Sequence, residues 1–585
     1  MKVLLTTLNA KYIHTSLALR NLREFCRQDG IDITIAEYTI NQSCQQILSD
    51  IYSHKPEVVG IACYIWNMAM VSELASLLKK VLPGTVLILG GPEVSYDPAE
   101  VLQTHPAVDY IVMGEGEEVL CELLRNLRLH RGGGIDGIAW RTQAGICVNG
   151  KPRTVSRLDQ LPFAYHPAEL ESFKERILYY ESSRGCPFSC QYCLSSATSG
   201  VRFYSLERVL ADLTVFIAHD VKQVKFVDRT FNSRKEHYLP IIRFLSQQEC
   251  RTNFHFEIAA DWLDEEALAL LAAAPPGRFQ LEIGIQSTNE PTLAAICRRN
   301  DWGKINRSLS VLRQSGNMHL HLDLIVGLPY ETLAIFARSF NAVYDLKPHM
   351  LQIGFLKLLK GSGVRRSGQL HDYAYTDAAP YEVLSNRYLN YAAIRKLHLF
   401  EDVFNLTYNS GRFLTACGWL IAERCGGNAF AFYFSLSHYW EQRQMHFSSH
   451  SPKGMYEFLA QFCQERFPQQ LATFLELLKF DALTSDGGSV RPECLPWNYP
   501  ELEAEISAFW RNDETVARYL AGYRFTSWRQ IKRTYQVEAF TLDIPALLRT
   551  GRLQQQRSVL LFDYSRGGAW TLLSGIIREE LSDAL

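Results

Sequence analysis

Residues Tyr180 to Ser195 read Y-E-S-S-R-G-C-P-F-S-C-Q-Y-C-L-S. Cys186, Cys190 and Cys193 stand in C-x3-C-x2-C spacing directly after a short β-like run, Ile177 to Ser182. Such spacing lets one tight loop aim three thiolates at a common point. Iron–sulfur clusters are held by Cys thiolates, and a fully protein-bound [4Fe–4S] cluster takes four of them. No fourth Cys follows nearby, so one iron is left open to an outside ligand. The competing reading is three core cysteines or a zinc site. Zinc sites favour two separated ligand pairs, and structural cysteines rarely cluster between a strand and a Gly-Cys-Pro turn.

With Tyr192 at the aromatic position of C-x3-C-x-aromatic-C, the triplet resembles the signature of the radical S-adenosylmethionine (SAM) superfamily. The resemblance implies a [4Fe–4S] cluster whose open iron is chelated by the amino and carboxylate groups of SAM. It also implies reductive cleavage of SAM to methionine and a 5′-deoxyadenosyl radical. The implied partners are an external one-electron reductant of flavodoxin or ferredoxin type and a small-molecule or otherwise unspecified substrate.

Outward from this loop, composition sets the frame. A chain of 585 residues is long enough for three or four domains, at about 150 residues each. With 47% hydrophobic and 21% charged residues it has the balance of a soluble globular protein. Its net charge of −2 lacks the basic excess of a nucleic-acid binder. Outside the triplet the cysteines are scattered singly, often inside apolar runs, as at Cys63 and Cys121. That pattern suits reduced thiols and a cytoplasmic location. The opening M-K-V-L-L-T-T carries too short an apolar run for a signal peptide. No run of 18 apolar residues occurs, so no membrane span is expected.

Toward the N-terminus, apolar runs at Val3–Thr7, Ile33–Glu37, Val58–Cys63, Val86–Leu89 and Tyr110–Met113 alternate with helical-period stretches such as Leu17–Phe25 and Val71–Val81. This predicts an α/β, doubly wound parallel sheet of Rossmann-like kind, whose ligands bind at the carboxyl ends of the strands. Those ends carry Tyr64, Ile65, Trp66 and Asn67, then Gly90, Gly91, Pro92 and Glu93, then Gly114, Glu115, Gly116 and Glu117. Placed ahead of the cysteine loop, the G-G-P-E and G-E-G-E turns resemble the cobalamin-binding domain of B12-dependent radical SAM enzymes. The D-x-H-x-x-G motif of methionine-synthase-like B12 domains is missing: the first loop reads L-N-A-K-Y-I-H-T, from Leu8 to Thr15. The expected cobalt lower face therefore has no histidine ligand, and Trp66 with Tyr64 and Ile65 forms an apolar floor. Packing of Trp66 on a helix is the alternative. His14 is expected as a surface loop residue.

Gly132 to Pro167 reads as a hairpin and linker, with runs at Gly137–Arg141 and Ile146–Val148 and an L-x-x-L-P segment at Leu158–Pro162. From Leu178 onward, strands are expected at Gln223–Val227, Asn253–Ile258, Phe279–Ile285, Leu320–Val326 and Leu351–Phe355, with helices between. Six βα units predict a partial (β/α)6 TIM-like barrel, with its site at the carboxyl ends of the strands. Asp228 stands where the resemblance places a group for the SAM amino end, although the Gly-Gly-Glu form of many relatives is absent. Glu257 closes a strand and is a further candidate. Glu282 and Gln286 lie in a stretch that resembles the ribose region. Gly327 belongs to D-L-I-V-G-L-P, which resembles a segment that meets the adenine. For each carboxylate an exposed charge or an ordinary salt bridge is the alternative, and for Arg298 and Arg299 a solvated helix end is preferred.

The expected domains are a cobalamin-binding domain at 1–131, hairpin and linker at 132–171, a radical SAM core at 172–380 and an α+β C-terminal domain at 381–585. The last begins helix-rich, at Tyr381–Leu399 and Tyr456–Leu478, and ends in strands at Glu538–Ile544 and Ser558–Tyr564. It resembles the domain of unknown function that accompanies one B12-dependent radical SAM subfamily. Its aromatic run Phe430–Tyr439 reads as core rather than cavity lining. The resulting expectation is a cobalamin-dependent enzyme that methylates an unactivated carbon. Rearrangement or cyclisation with the same cofactors is an alternative, as is a non-catalytic cobalamin- and SAM-binding sensor. The lack of a second cysteine triplet argues against sulfur insertion.

Overall fold

The alternating pattern of the first 150 residues builds a seven-stranded sheet. A computed structural model describes residues 1–129, 134–197, 200–497 and 502–573, with Ser195 and Ser196 described by backbone alone. Gly132 and Gly133 of the expected linker lie outside the described residues. Two compact units are present, Met1–Ile394 and Arg395–Leu585.

In the first unit, β1 (Val3–Asn9), β2 (Ile33–Thr39), β3 (Val58–Ala62), β4 (Val86–Gly90) and β5 (Tyr110–Val112) run parallel. The hairpin β6 (Ile138–Thr142) and β7 (Gly145–Asn149) joins their edge antiparallel, Tyr110 opposite Trp140. The expected hairpin thus extends the N-terminal sheet, because the short β5 would otherwise leave its backbone groups unpaired. Side chains alternate between two cores. Leu4, Val59, Leu87 and Ile111 pack with helices Cys44–His54 and Met68–Val81. Val3, Leu5, Val58 and Ile88 pack with helices Leu17–Arg27 and Gly116–Arg128. Each such side chain contributes about 1.5–3 kcal/mol on burial. The order β2-β1-β3-β4-β5 reverses direction between β1 and β3, and that switch point opens a crevice at the carboxyl ends of the strands.

A second sheet follows. β8 (Ile177–Tyr180) precedes a short ribbon, β9 (Ser183–Gly185) with β10 (Val201–Phe203). β11 (Gln223–Phe226), β12 (Asn253–Glu257), β13 (Phe279–Gln286), β14 (His319–Val326) and β15 (Met350–Phe355) complete a parallel six-stranded order, β15-β14-β13-β12-β11-β8. This is the open, partial barrel that the sequence predicts. Its register makes one row of Phe256, Leu281 and Leu320 and the next of Glu257, Glu282 and His321. Apolar and polar rows therefore alternate by the two-residue period of a strand.

Beyond the barrel the helix expected at Tyr381–Leu399 starts later, at Tyr391. Residues before it form β16 (Ala374–Tyr375) and β17 (Val383–Ser385). Asn386 then accepts from the amides of Tyr388 and Leu389, both at 2.8 Å, and turns the chain.

The second unit packs helices Leu414–Cys425, Ala429–Gln442, Pro452–Arg466 and Leu471–Ser485, and ends in antiparallel β18 (Tyr535–Phe540), β19 (Ser558–Asp563) and β20 (Ala569–Leu572). The expected Tyr456–Leu478 stretch is split at Pro468, whose ring cannot continue a helix interior. Phe432, Tyr433 and Tyr439 are buried, so the aromatic run is core.

Candidate active site

Two cavities lie in the first unit. The larger, about 610 Å³, opens at the β1/β3 switch point and continues to the barrel residues Tyr179, Glu181, Arg184 and Arg229. The smaller, about 160 Å³, holds Cys186, Cys190, Cys193 and Tyr192 together with Glu257 and Gln286.

The larger cavity is shaped by backbone. Gly91 has φ +108°, and a Cβ there would sit 2.6 Å from the Cys63 carbonyl oxygen, so only glycine takes this path without strain. Gly90, Gly114 and Gly116 line the same wall. Tyr64 and Trp66 stack at 4.4 Å and 5°, and the Trp66 indole donates to the Leu8 carbonyl at 3.2 Å. Trp66 is 47% exposed and faces the cavity rather than a helix.

Not every predicted residue reaches this cavity. Ile65, Asn67, Pro92 and Glu93 do not line it. Asn67 is buried and shapes its turn, donating to the Leu8 and Ala62 carbonyls and accepting from the Tyr64 amide. Glu93 is buried beneath the Tyr381 hydroxyl, which donates to it, with Lys360 at 3.9 Å. His14 departs from the expected surface position. It is half-buried, lines the cavity and holds its Nδ1 2.7 Å from the Tyr179 hydroxyl. Burial, followed by nearby Lys11, lowers its pKa, so the ring is neutral at pH 7.

Glu115 and Glu117 line the cavity, but their carboxylates turn to arginines. Arg184 lies 3.2 Å from Glu115, 2.6 Å from Glu117 and 2.7 Å from Glu181, and Arg202 also pairs with Glu115. Burial opposes its charge, yet these acids, Glu181 foremost, hold Arg184 protonated. Since Arg184 is two residues before Cys186, this knot ties the N-terminal sheet to the cysteine loop. Glu181 and R-G-C were in plain view in the sequence, but Glu115 and Glu117 stand 69 and 67 residues before Arg184 and gave no local signal.

The cysteine loop is pinned from both sides. The Gln191 amide donates to Ile296 and the Val364 amide to Gln191, each at 2.9 Å. Gly185, at φ +105°, passes so near the Gly200 carbonyl that a Cβ would collide with it. Arg298, expected at a solvated helix end, is instead in the small cavity. It donates to the Gly284 carbonyl and lies 3.4 Å from the Tyr192 hydroxyl and 3.8 Å from Cys190 Sγ. A helix-end prediction failed here because Cys297, at φ +53°, redirects the chain just before it. Arg299 is exposed.

Among the described residues, Glu282, His321 and Asp323 are a group with ligand atoms all within 4.8 Å of one another. The Glu282 group already has partners: the Lys225 ammonium and the His255 ring each lie 2.9 Å from Glu282. Burial opposes its ionisation, but His255 and Lys225 hold the Glu282 carboxyl down to about 2. Glu257, in contrast, is pushed up to about 7 by burial and then by Glu282.

Asp228 and Gly327 line neither cavity. Asp228 is buried, with its oxygens accepting from the Ser182 amide at 2.8 Å, the Ser182 hydroxyl at 2.7 Å and the Ser183 hydroxyl at 2.6 Å. Gly327 offers its carbonyl to Tyr373 at 2.7 Å and Asn386 at 2.8 Å.

Three family models match the chain: the B12 binding domain over residues 3–124, the Radical SAM superfamily over 180–343, and a protein of unknown function, DUF4080, over 369–562. The cobalamin-dependent radical SAM methyltransferase TokK of Streptomyces tokunonensis is 28% identical over 347 residues, 54% of this chain and 49% of the relative. The 2-(S-pantetheinyl)-carbapenam-3-carboxylate methyltransferase of Streptantibioticus cattleyicolor is 30% identical over 321 residues, 50% of this chain and 46% of the relative. The chain thus spans about half the length of these curated relatives. In fold it is similar to the cobalamin-dependent SAM radical enzyme OxsB, solved with aqua-cobalamin and SAM. That match has a TM-score of 0.59 and 14% identity, and covers 84% of this chain and 82% of the other.

Proposed function

We propose that this chain, a B12-binding-domain-containing radical SAM protein with a C-terminal domain of unknown function, is a cobalamin-dependent enzyme that methylates an unactivated carbon. One observation carries the reading: a cavity lined by three cysteines and a cavity lined by glycine-rich strand ends meet at a single residue, Arg229. In place there, a [4Fe–4S] cluster with SAM supplies a 5′-deoxyadenosyl radical and cobalamin supplies a methyl group, while the protein binds, orients and shields.

Cys186, Cys190 and Cys193 are assigned to the cluster, with Arg298 fixing Tyr192 and Cys190 beside it. Glu257, Gln286 and Asp323 line the same cavity and are assigned to SAM, whose sulfonium and ammonium are stabilised by nearby carboxylates. Asp228 acts behind them, holding Ser182 and Ser183 and hence the root of the cysteine loop. Tyr64, Trp66, Gly90, Gly91, Gly114 and Gly116 are assigned to the corrinoid, and Ile65, Asn67, Pro92 and Glu93 to the turns that present them. Glu115 and Glu117 hold Arg184 at the rim. The domain limits 1–131, 132–171, 172–380 and 381–585 are retained as part of this reading.

A flavodoxin- or ferredoxin-type reductant would deliver the electron. The cysteines outside the triplet are not joined as disulfides, which supports a reducing, cytoplasmic setting. No described helix is long and apolar enough to cross a membrane.

The test is anaerobic turnover with methyl-labelled SAM, reductant, cobalamin and a metabolite extract. We expect 5′-deoxyadenosine and one labelled metabolite, both lost in Cys190→Ala. Deoxyadenosine without a labelled product would move the reading to rearrangement or cyclisation, and cofactor uptake without deoxyadenosine would move it to a sensor.

A further inference from the structure

We propose that Arg229 anchors an anionic group, carboxylate or phosphate, of a small-molecule substrate held where the two cavities meet. The inference rests on the function proposed above, because that reading sets the methyl source on one side of Arg229 and the radical source on the other.

Among the described residues, Arg229 is the one that lines both cavities. Its root is rigid. The preceding Asp228 carries three hydrogen bonds from Ser182 and Ser183, the Val227 amide donates to the Tyr180 carbonyl at 2.8 Å, and the next residue, Thr230, is buried. Its head is uncommitted: the guanidinium has no hydrogen bond or ion pair among the described residues, and the side chain is exposed. The other arginines of the two cavities are engaged, Arg184 by Glu115, Glu117 and Glu181 and Arg298 by Gly284 and Asn300. The charge of Arg229 is felt by Tyr64 and Tyr96 of the N-terminal domain and by Glu257 of the barrel, so it stands in the passage between them.

A rigidly rooted guanidinium with free donors matches the fork of a carboxylate or phosphate. Holding a substrate by such a remote charge fixes the reacting carbon without contacting it. The SAM carboxylate and the corrinoid phosphate share this chemistry, so the experiment separates the three sources.

The chain, as isolated and after anaerobic loading with cluster, SAM and hydroxocobalamin, is treated with phenylglyoxal, and modification of Arg229 is followed by peptide mass spectrometry. Exposed Arg299 is the internal control. With both cofactors in place Arg229 should still react, and added succinate or inorganic phosphate should slow it. At about ten times the Kd of the anion the rate should fall roughly tenfold, with Arg299 unchanged. The proposal is overturned if SAM alone or hydroxocobalamin alone protects Arg229 as fully. It is equally overturned if neither anion protects, or if both arginines slow together. Should the chain take up neither cofactor, the proposed function falls, while anion protection of the isolated chain still decides the role of Arg229.

Discussion

Cys190 and Gly91 show two ways in which one residue can govern the site. Cys190 acts by chemistry: burial raises its thiol pKa and Arg298, 3.8 Å from its Sγ, opposes that rise. Replacing it with Ala leaves a small apolar group in a loop pinned elsewhere. The expected outcome is protein with an unchanged circular dichroism spectrum that has lost the brown absorbance of a cluster after anaerobic reconstitution. Gly91 acts by geometry. A side chain there has both an unfavourable φ, which costs about 1–3 kcal/mol, and a 2.6 Å collision with the Cys63 carbonyl. Gly91→Ala should therefore lower cobalamin retention on gel filtration and shift the denaturant midpoint down. Retention equal to that of the parent would mean that the glycine wall does not shape the cobalamin site.

At the scale of elements, β9 and the turn after β5 are joined by the Arg184 knot. Removing one partner of a buried ion pair costs about 3–5 kcal/mol, because the other charge remains buried. Arg184→Gln should destabilise the chain on that order, and Glu117→Gln less, since Glu115 and Glu181 remain. In a double-mutant cycle of these two changes, followed by denaturant unfolding, the pair should cost less than the sum. Strict additivity would mean that the two side chains are not coupled. In the second unit a buried acid meets the start of a helix. Asp481 accepts from the amides of Thr415 at 3.1 Å and Ala416 at 2.9 Å, at the start of helix Leu414–Cys425. Burial pushes its carboxyl up to about 7, above about 3.9 for an unfolded Asp. The folded state therefore binds the proton more tightly, and the added stability is complete below about pH 4 and lost as pH rises through about 7. Amide exchange in residues 411–425, corrected for intrinsic rates, should accelerate across that window, and Asp481→Asn should flatten the dependence.

At the scale of the whole molecule, both cavities are lined entirely by residues of the Met1–Ile394 unit. A chain ended after Asn390, just before the helix Tyr391–Phe404, should still take up a cluster and cobalamin, read as their absorbance in the purified protein. Loss of both would show that the second unit is needed for either site to form. The strands of both sheets were legible in the sequence to within a residue or two, because β-branched runs bounded by glycine and charge carry a period of their own. The cysteine loop was legible because its three cysteines are close in sequence. What escaped were contacts set by topology: Arg298 behind a positive-φ cysteine, His14 against Tyr179, and the acids that turn from the cavity to Arg184. Asp228 misled in the opposite direction. Its position at a strand end matched a ligand, yet three hydrogen bonds turn it inward, and only the packed structure separates an acid that faces a cavity from one that supports its wall.

The guanidinium of Arg184 also limits how this architecture can be recombined. A chimera that grafts a foreign N-terminal domain onto this barrel, without acids matching Glu115 and Glu117, would leave Arg184 with Glu181 as its remaining acid beside the cysteine loop. The segments are therefore poor interchangeable modules despite their separate family descriptions. Exchange between lineages would have to carry the acidic turn and its arginines together.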